Sequence, residues 1–449
     1  MKKIYRILFL LVALIGYSSC NYLDIVPDET TTDEDTYADK DAVRDYLYSC
    51  YAYLPQCNIS SGSLDQMTGD EVITAFEHET FAGFPKGNYS AATPVISYWD
   101  TFFQGIRQCY MLLERIDKVA DLRNDLKVDY KAQTKFLIAY YHYLMARCYG
   151  PTLLIKETPS ITTPVEEYLG RTPYDECVEW ICNLFDEAAN DLPAVRSTAS
   201  EFGLATSIAA KSLKAKMRLY AASPLFNGNS KFYSNFVDKD GVQLMPLTYD
   251  ANKWVLARDA CKEAIELAVL NGHDLYKKKD YRLDESEANP YPEEGAVRCL
   301  RTGMVDWESR NVEVLFAETR NEGSYGVQNK SLPFVKDGWA WNGVCPTWAM
   351  LNRFYTKNGL PWDEDPEFAS KAEVVSVDAA HATQAAQGQK TILFNLDREP
   401  RYYAWIAFQG GYFEVLNNAT NPAYSDGYVD GGRLVCSFLL GGNCSIGTA

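Results

Sequence analysis

The sequence predicts a mostly α-helical protein whose helices run in consecutive pairs, followed by a loop-rich, partly irregular region. Three observations carry that expectation. Apolar residues recur at helical spacing in six stretches between Asp41 and Gly272. Small residues such as Ala209, Ala210 and Ala215 alternate with large ones such as Leu213 and Tyr220, which lets stacked pairs approach closely, as in tetratricopeptide-type arrays. After about Tyr276 the periodicity gives way to Pro, Gly, Asn and aromatic residues, as in Asn289-Pro290-Tyr291-Pro292. The strict repeat consensus is missing, so a plain helical bundle stands as the alternative. At 449 residues and 47% hydrophobic content, the chain can bury one large core or two joined subdomains.

The elements follow in order. Val43, Tyr46, Leu47, Cys50, Tyr51 and Leu54 predict a helix over 41–54, and Trp99, Phe102, Phe103, Ile106, Tyr110, Leu113 and Ile116 one over 96–119. A third spans 129–149 on Phe136, Leu137, Tyr140, Tyr141, Leu144 and Cys148, and stops at Gly150-Pro151. The next begins at Thr172-Pro173-Tyr174-Asp175, read as a Thr172 cap, proline at the first helical position and Asp175 completing a capping box. Two more run over 205–222 and from Asp250, a candidate cap, to Gly272. Val312–Ala317 reads as a short strand, Val374–Val377 and Thr391–Phe394 as weaker ones, and His381–Gln389 as a mobile low-complexity loop.

The N-terminus has the layout of a secretory leader: Lys2, Lys3 and Arg6, then the apolar run Ile7–Ile15, then small residues before Cys20. The run is shorter than the roughly 20 residues that span a bilayer. Tyr17-Ser18-Ser19 ahead of Cys20 suits cleavage that leaves a lipidated cysteine, and each buried lipid methylene contributes about 0.8 kcal/mol to anchoring. The expected organisation is a leader over 1–19, a lipidated tether over 20–36, a helical-repeat domain over 37–275 and a loop-rich, ligand-facing subdomain over 276–449.

Net charge is -17, which repels nucleic acid phosphates and anionic membrane surfaces, so no nucleic acid partner is expected. The 12 cysteines show no zinc spacing, and those at apolar helical positions, such as Cys109, Cys148 and Cys261, read as small buried hydrophobes in a mostly reduced set. The four histidines form no metal pair, and His142 reads as structural. No cofactor, metal site or nucleophile elbow is marked, and Asp363-Glu364-Asp365 reads as a solvated turn.

Five segments bring a family into view. Cys20-Asn21-Tyr22-Leu23-Asp24 with Pro27, Trp99–Ile116 (WDTFFQGIRQCYMLLERI), Phe136–Pro151 (FLIAYYHYLMARCYGP), Thr347–Asp363 (TWAMLNRFYTKNGLPWD) and Asp397–Ile406 (DREPRYYAWI) occur in this order. Together they resemble the SusD/RagB family of outer-membrane nutrient-binding lipoproteins of Bacteroidota. The resemblance implies a lipid-anchored, cell-surface protein of the outer membrane. Such a protein captures glycans or other nutrients for a SusC-like TonB-dependent transporter and does no chemistry. Family members usually continue into a final helical repeat. This chain stops at Ala449, so that C-terminal repeat is expected to be missing and the loop-rich subdomain incomplete.

Sugars stack their C–H faces on aromatic rings and share hydroxyl hydrogen bonds with Asn, Asp, Gln and Arg. With 13% aromatic residues, 31 of them Tyr, the chain has rings to spare. Two loop segments combine rings with Gly and amide residues. One is 76–89, with Phe81, Phe84 and Tyr89. The other is 325–348, with Tyr325, Trp339 and Trp341 beside Gln328, Asn329 and Asn342. These six rings are the candidate ligand-binding residues, and packing of the loops onto the scaffold is the competing role for each. Two other functions remain open: a surface glycosidase, which needs two carboxyl groups about 5–10 Å apart, and a helical-repeat lipoprotein that binds peptide or protein.

Overall fold

The computed structural model describes residues 37–56, 67–158, 160, 162–277, 295–306, 311–320, 326–334, 340–368, 372–414, 428–429 and 433–445. The leader, Cys20, the tether, Asn289–Pro292, Tyr325 and Trp339 lie outside them.

Six helices build an array: α1 (Lys40–Tyr51), α2 (Trp99–Arg115), α3 (Asn124–Tyr149), α4 (Tyr174–Asp191), α5 (Ser207–Ala222) and α6 (Asn252–Leu270). From α2 to α6 each packs on its sequence neighbour, and α1 packs on α2 and α3. Their inward faces form one large core, with Val43, Phe102, Ile106, Phe136, Tyr141, Ile181 and Phe185 fully buried. Helix α3 is the centre of the array. Its run from Phe136 to Ala146 is buried on nearly every side, so its apolar residues leave almost no polar stripe. Gly105 lets α2 reach α3, because a Cβ there would lie 3.0 Å from the Tyr141 ring and 2.9 Å from Cβ of Tyr53.

Polar groups tie the array across long sequence distances. The Tyr51 hydroxyl donates to Gln133 and accepts from the Ala205 N–H, both at 2.9 Å. Arg196 grips Asp129 with two bonds (3.0 and 2.9 Å) and donates to the Ala205 carbonyl. Between α4, α5 and α6, Lys211 and Lys214 each bridge Asp186 and Glu263. Helix α6 meets α5 through Ala257, Ala260, Ala264 and Ala268, while Trp254, Ile265, Val269 and Leu270 stay exposed on its other faces. No helix among the described residues is long and apolar enough to cross a membrane.

The structure corrects several local expectations. Helix α4 starts one residue late, with Pro173 in the cap position and no side-chain cap. The Thr172 N–H goes instead to the Thr152 carbonyl (2.9 Å), and Asp175 pairs with Lys253 (2.6 Å). Segment 312–317 forms no strand, because no partner strand faces it. Phe316 instead sits on the Phe136 and Tyr140 rings, at 5.3 and 6.0 Å. Arg320 then donates to the Ala52 and Leu54 carbonyls just past the end of α1. Cys148 is exposed rather than buried.

His142 is a core residue. Its Nδ1–H donates to the Ile138 carbonyl (2.8 Å), Nε2 accepts from the Ile155 N–H (3.2 Å), and the Trp180 ring meets it edge-on at 4.8 Å. Burial lowers its pKa from 6.5 to about 4. Between those values the unfolded chain takes up a proton that the folded one refuses. Stability is therefore fully present above about pH 6.5 and declines as pH falls towards 4, by up to about 3 kcal/mol. Denaturant titrations at stepped pH should show that loss in the wild type, and His142→Gln should flatten it.

A second core lies outside the array. Helix α7 (Gly295–Val305) packs on α8 (Pro400–Trp405), and Phe354, Val377, Ala385, Phe394, Leu396, Tyr402 and Phe408 fill the space between. Of the small strands, β1 (Val72–Thr74) pairs with β2 (Val344–Pro346) and β3 (Val374–Ser376) with β4 (Lys390–Ile392). Strand β7 (Arg433–Val435) lies between β5 (Tyr412–Glu414) and β6 (Tyr428–Val429), all antiparallel. Segment 381–389 is held rather than loose. Ala385 is fully buried, and Gln384 Oε1 accepts from the Asp397 N–H and the Tyr403 hydroxyl, both at 2.8 Å.

Candidate ligand-binding site

The two aromatic segments picked out in the sequence meet in space. β1 and β2 join them, with Val72 opposite Pro346, Ile73 opposite Cys345 and Thr74 opposite Val344. One face of this ribbon packs Val72 and Val344 onto a small core of Met67 and Phe81, with Phe84 and Val327 around it. The other face turns Ile73 and Cys345 outward. Beneath the ribbon, Lys330 in the short helix Val327–Ser331 pairs with Glu79, and both side chains are buried. A charge pair out of water persists only when each partner satisfies the other, so this contact fixes the register of the two segments.

Close backbone packing completes the module. The Gly343 N–H donates to the Lys330 carbonyl (2.6 Å), and a Cβ at Gly343 would lie 2.2 Å from the Phe76 ring. Asn342 holds a left-handed backbone at φ 50°, a conformation its short amide tolerates. Its Oδ1 accepts from the Phe334 N–H (2.5 Å) and its Nδ2 donates to the Cys444 carbonyl (2.6 Å). Thr347 caps the short helix Trp348–Leu351 by accepting from the Met350 N–H (3.1 Å), and its hydroxyl donates to the Asp70 carbonyl (2.5 Å).

The described candidates fall into two groups. Phe81 is only 3% exposed, its ring spent on the small core, so it has no face for a ligand and the expectation for it is corrected. Phe84 and Tyr89 sit ring to ring at 5.4 Å, Phe84 half-buried and Tyr89 53% exposed. Gly87, left-handed at φ 67°, turns the chain between them. Trp341 is half-buried, with its backbone N–H donating to the Asn329 carbonyl (3.1 Å). Two exposed groups of this module escaped the sequence reading. His78 stacks on Phe76 at 5.7 Å, and Trp348 is 57% exposed with its edge against Phe394. Trp348 lies inside a segment read for its family likeness, which hid it.

A groove of about 700 Å³ lies elsewhere, between α1, α3 and segment 316–320. Tyr48, Tyr140, Phe202, Lys216 and Phe316 are on its walls, and none of the four described candidate rings is. The Asp365 carboxylate is held low by the Thr356 hydroxyl and the Glu367 N–H, so it closes its own turn. Among the described residues no group of three or more His, Cys, Asp or Glu is placed to hold a metal ion.

Comparison with known proteins bears on this arrangement. A model of the SusD family matches residues 312–434, and a second, described as starch-binding associating with outer membrane, matches residues 21–219. The chain belongs to the SusD/RagB family. A solved structure designated BT4246 is 30% identical with a TM-score of 0.70, over 84% of this chain and 66% of that one. A SusD-like protein of Bacteroides fragilis is 19% identical with a TM-score of 0.61, over 90% of this chain and 65% of that one. A SusD-like carbohydrate-binding protein of the same species is 16% identical with a TM-score of 0.53, over 85% and 63%. The last two show the shared fold alone. The chain spans just under two thirds of the length of each of these three. No curated protein matches it. In SusD/RagB terms, the signature segment Phe136–Pro151 falls on α3 and its closing turn. Segments Thr347–Asp363 and Asp397–Ile406 carry Phe354 and Tyr402 of the second core.

Proposed function

We propose that this chain is a cell-surface lipoprotein, anchored through Cys20, that captures oligosaccharide and passes it to a SusC-like TonB-dependent transporter of the outer membrane. One observation carries the reading. Two ring-bearing segments, some 250 residues apart in sequence, are locked into one module by the Glu79–Lys330 pair, which presents Tyr89, Phe84 and Trp341 near its surface. Family membership supports it, since the second matching model is described as starch-binding and a relative of the same fold is titled carbohydrate-binding.

Capture needs only what this module offers. A pyranose face lies on a half-exposed ring, each such stack being worth about 1 kcal/mol beyond area, and exposed polar side chains of the module such as His78 share its hydroxyls. Weak contacts suffice where a tether at Cys20 keeps protein and transporter together, because re-engagement is then effectively intramolecular.

The test is a binding screen of the folded chain against polysaccharides and host glycans, with product analysis of every hit. Saturable binding of at least one glycan, recovered unshortened, is expected. Chain cleavage abolished by one Asp or Glu substitution would point to a glycosidase. Affinity for peptide and for no glycan would point to a peptide-binding array.

A further inference from the structure

We infer that Cys436 and Cys444 form a disulfide in the exported protein, closing the 436–444 loop under the ligand module; the inference rests on the export reading above. The loop is already folded as such a closure would require. The Cys444 N–H donates to the Ser437 carbonyl (2.9 Å), the Ser437 N–H donates to Asn443 Oδ1 (2.9 Å), and Asn443 Nδ2 donates to the Val435 carbonyl (3.0 Å). The neighbouring Cys436 N–H and carbonyl are held by Gly411 and Gly410, at 2.9 and 2.8 Å. Both are free thiols, fully buried in one small cluster with Leu434, Ala407 and Phe413. Two thiols buried in one cluster at the two ends of a hydrogen-bonded turn are placed for a short-range disulfide. A reducing compartment would keep them apart, and an oxidising one joins them.

The chemistry balances with an oxidant of the disulfide class, a thiol oxidase or oxidised glutathione. One thiol of the pair loses its proton and attacks an oxidant sulfur. That forms a mixed disulfide and releases one oxidant thiolate. The other thiol then loses its proton and attacks the sulfur held in the mixed disulfide, releasing the second. Two protons and two electrons pass to the oxidant. Burial of both sulfurs places this step during folding, before the loop seals. Once formed, the bond fixes the Cys444 carbonyl that accepts from Asn342, the left-handed residue beside Trp341.

The experiment traps thiols with an alkylating agent in denaturant, without reductant, in full-length protein exported by a bacterial host. No Lys or Arg lies between Leu434 and Ala449, so trypsin leaves both cysteines in one peptide. That peptide is expected unalkylated and two hydrogens lighter than its dithiol form, and doubly alkylated after reduction. A parallel arm refolds a leaderless chain in a glutathione redox buffer and expects the same closed peptide. Doubly alkylated peptide in both arms would overturn the pairing. Closure in the refolded chain alone would support the pairing and count against export.

Discussion

Lys330→Ala should release the ligand module from the rest of the molecule. The substitution leaves the buried Glu79 carboxylate with only the exposed His78 imidazole beside it (3.4 Å), a change that costs about 3 kcal/mol. The module is thin: two three-residue strands and a core of Met67 and Phe81 with a few half-buried neighbours. It has little else to absorb such a loss. Hydrogen exchange should report it locally. Amides of 72–84 and 327–346 should exchange far faster in the variant, while those of α3 keep wild-type protection. A double change, Glu79→Leu with Lys330→Met, should recover much of the protection, because an apolar pair of similar size avoids the unpaired charge. Unchanged exchange in Lys330→Ala would mean that the ribbon and the small core hold the segments without the ion pair.

Arg398→Ala should unfold the second core first. The guanidinium is 3% exposed and donates to the carbonyls of Leu351 (2.9 Å) and Phe354 (2.7 Å). It lies over the Phe394 ring at 4.2 Å and the Tyr402 ring at 5.0 Å. Removing it orphans two buried carbonyls, at about 1–3 kcal/mol each, and opens a cavity between rings, so a total of about 3–5 kcal/mol is expected. Arg398→Lys should restore only a part, since an ammonium can reach the two carbonyls that Nη2 serves but loses the flat guanidinium face that lies over the Phe394 and Tyr402 rings. Native-state hydrogen exchange gives the readout. Amides within 400–405 and 390–392 in the second core should exchange at lower denaturant than those of α3. Exchange of both sets at the same denaturant in the variant would show instead that both cores unfold as one unit.

The helical array was legible because its signal is local. Helices of 12 to 26 residues repeat the 3.6-residue pattern often enough to be read, and a glycine at 150 or 272 marks their ends. What depended on distant partners was not. Val312–Ala317 has strand composition, but its neighbours in space are the rings of α3, so it packs without pairing. Thr172 carries a capping pattern, yet its N–H was claimed by Thr152. Ala385 and Gln384 look like low complexity in one dimension and are a plug and a bracket in three. The candidate site shows the same division. Ring content drew attention to 76–89 and 325–348, but strands of three residues carry no period, and nothing in sequence links Glu79 to Lys330. Phe81 and Tyr89 are alike in composition and opposite in exposure, which only the fold decides.

The measurement that tests the central claim most directly is calorimetry of the best glycan hit against wild type, Tyr89→Ala and Trp341→Ala, with Trp405→Ala as an exposed aromatic outside the module. Losing one stacking ring from a bound sugar should weaken affinity about 5- to 30-fold, that is by about 1–2 kcal/mol. The account predicts that loss for Tyr89→Ala or Trp341→Ala, in protein with wild-type helical content, and wild-type affinity for Trp405→Ala. Full affinity in both module variants would contradict it and place the ligand elsewhere on the molecule.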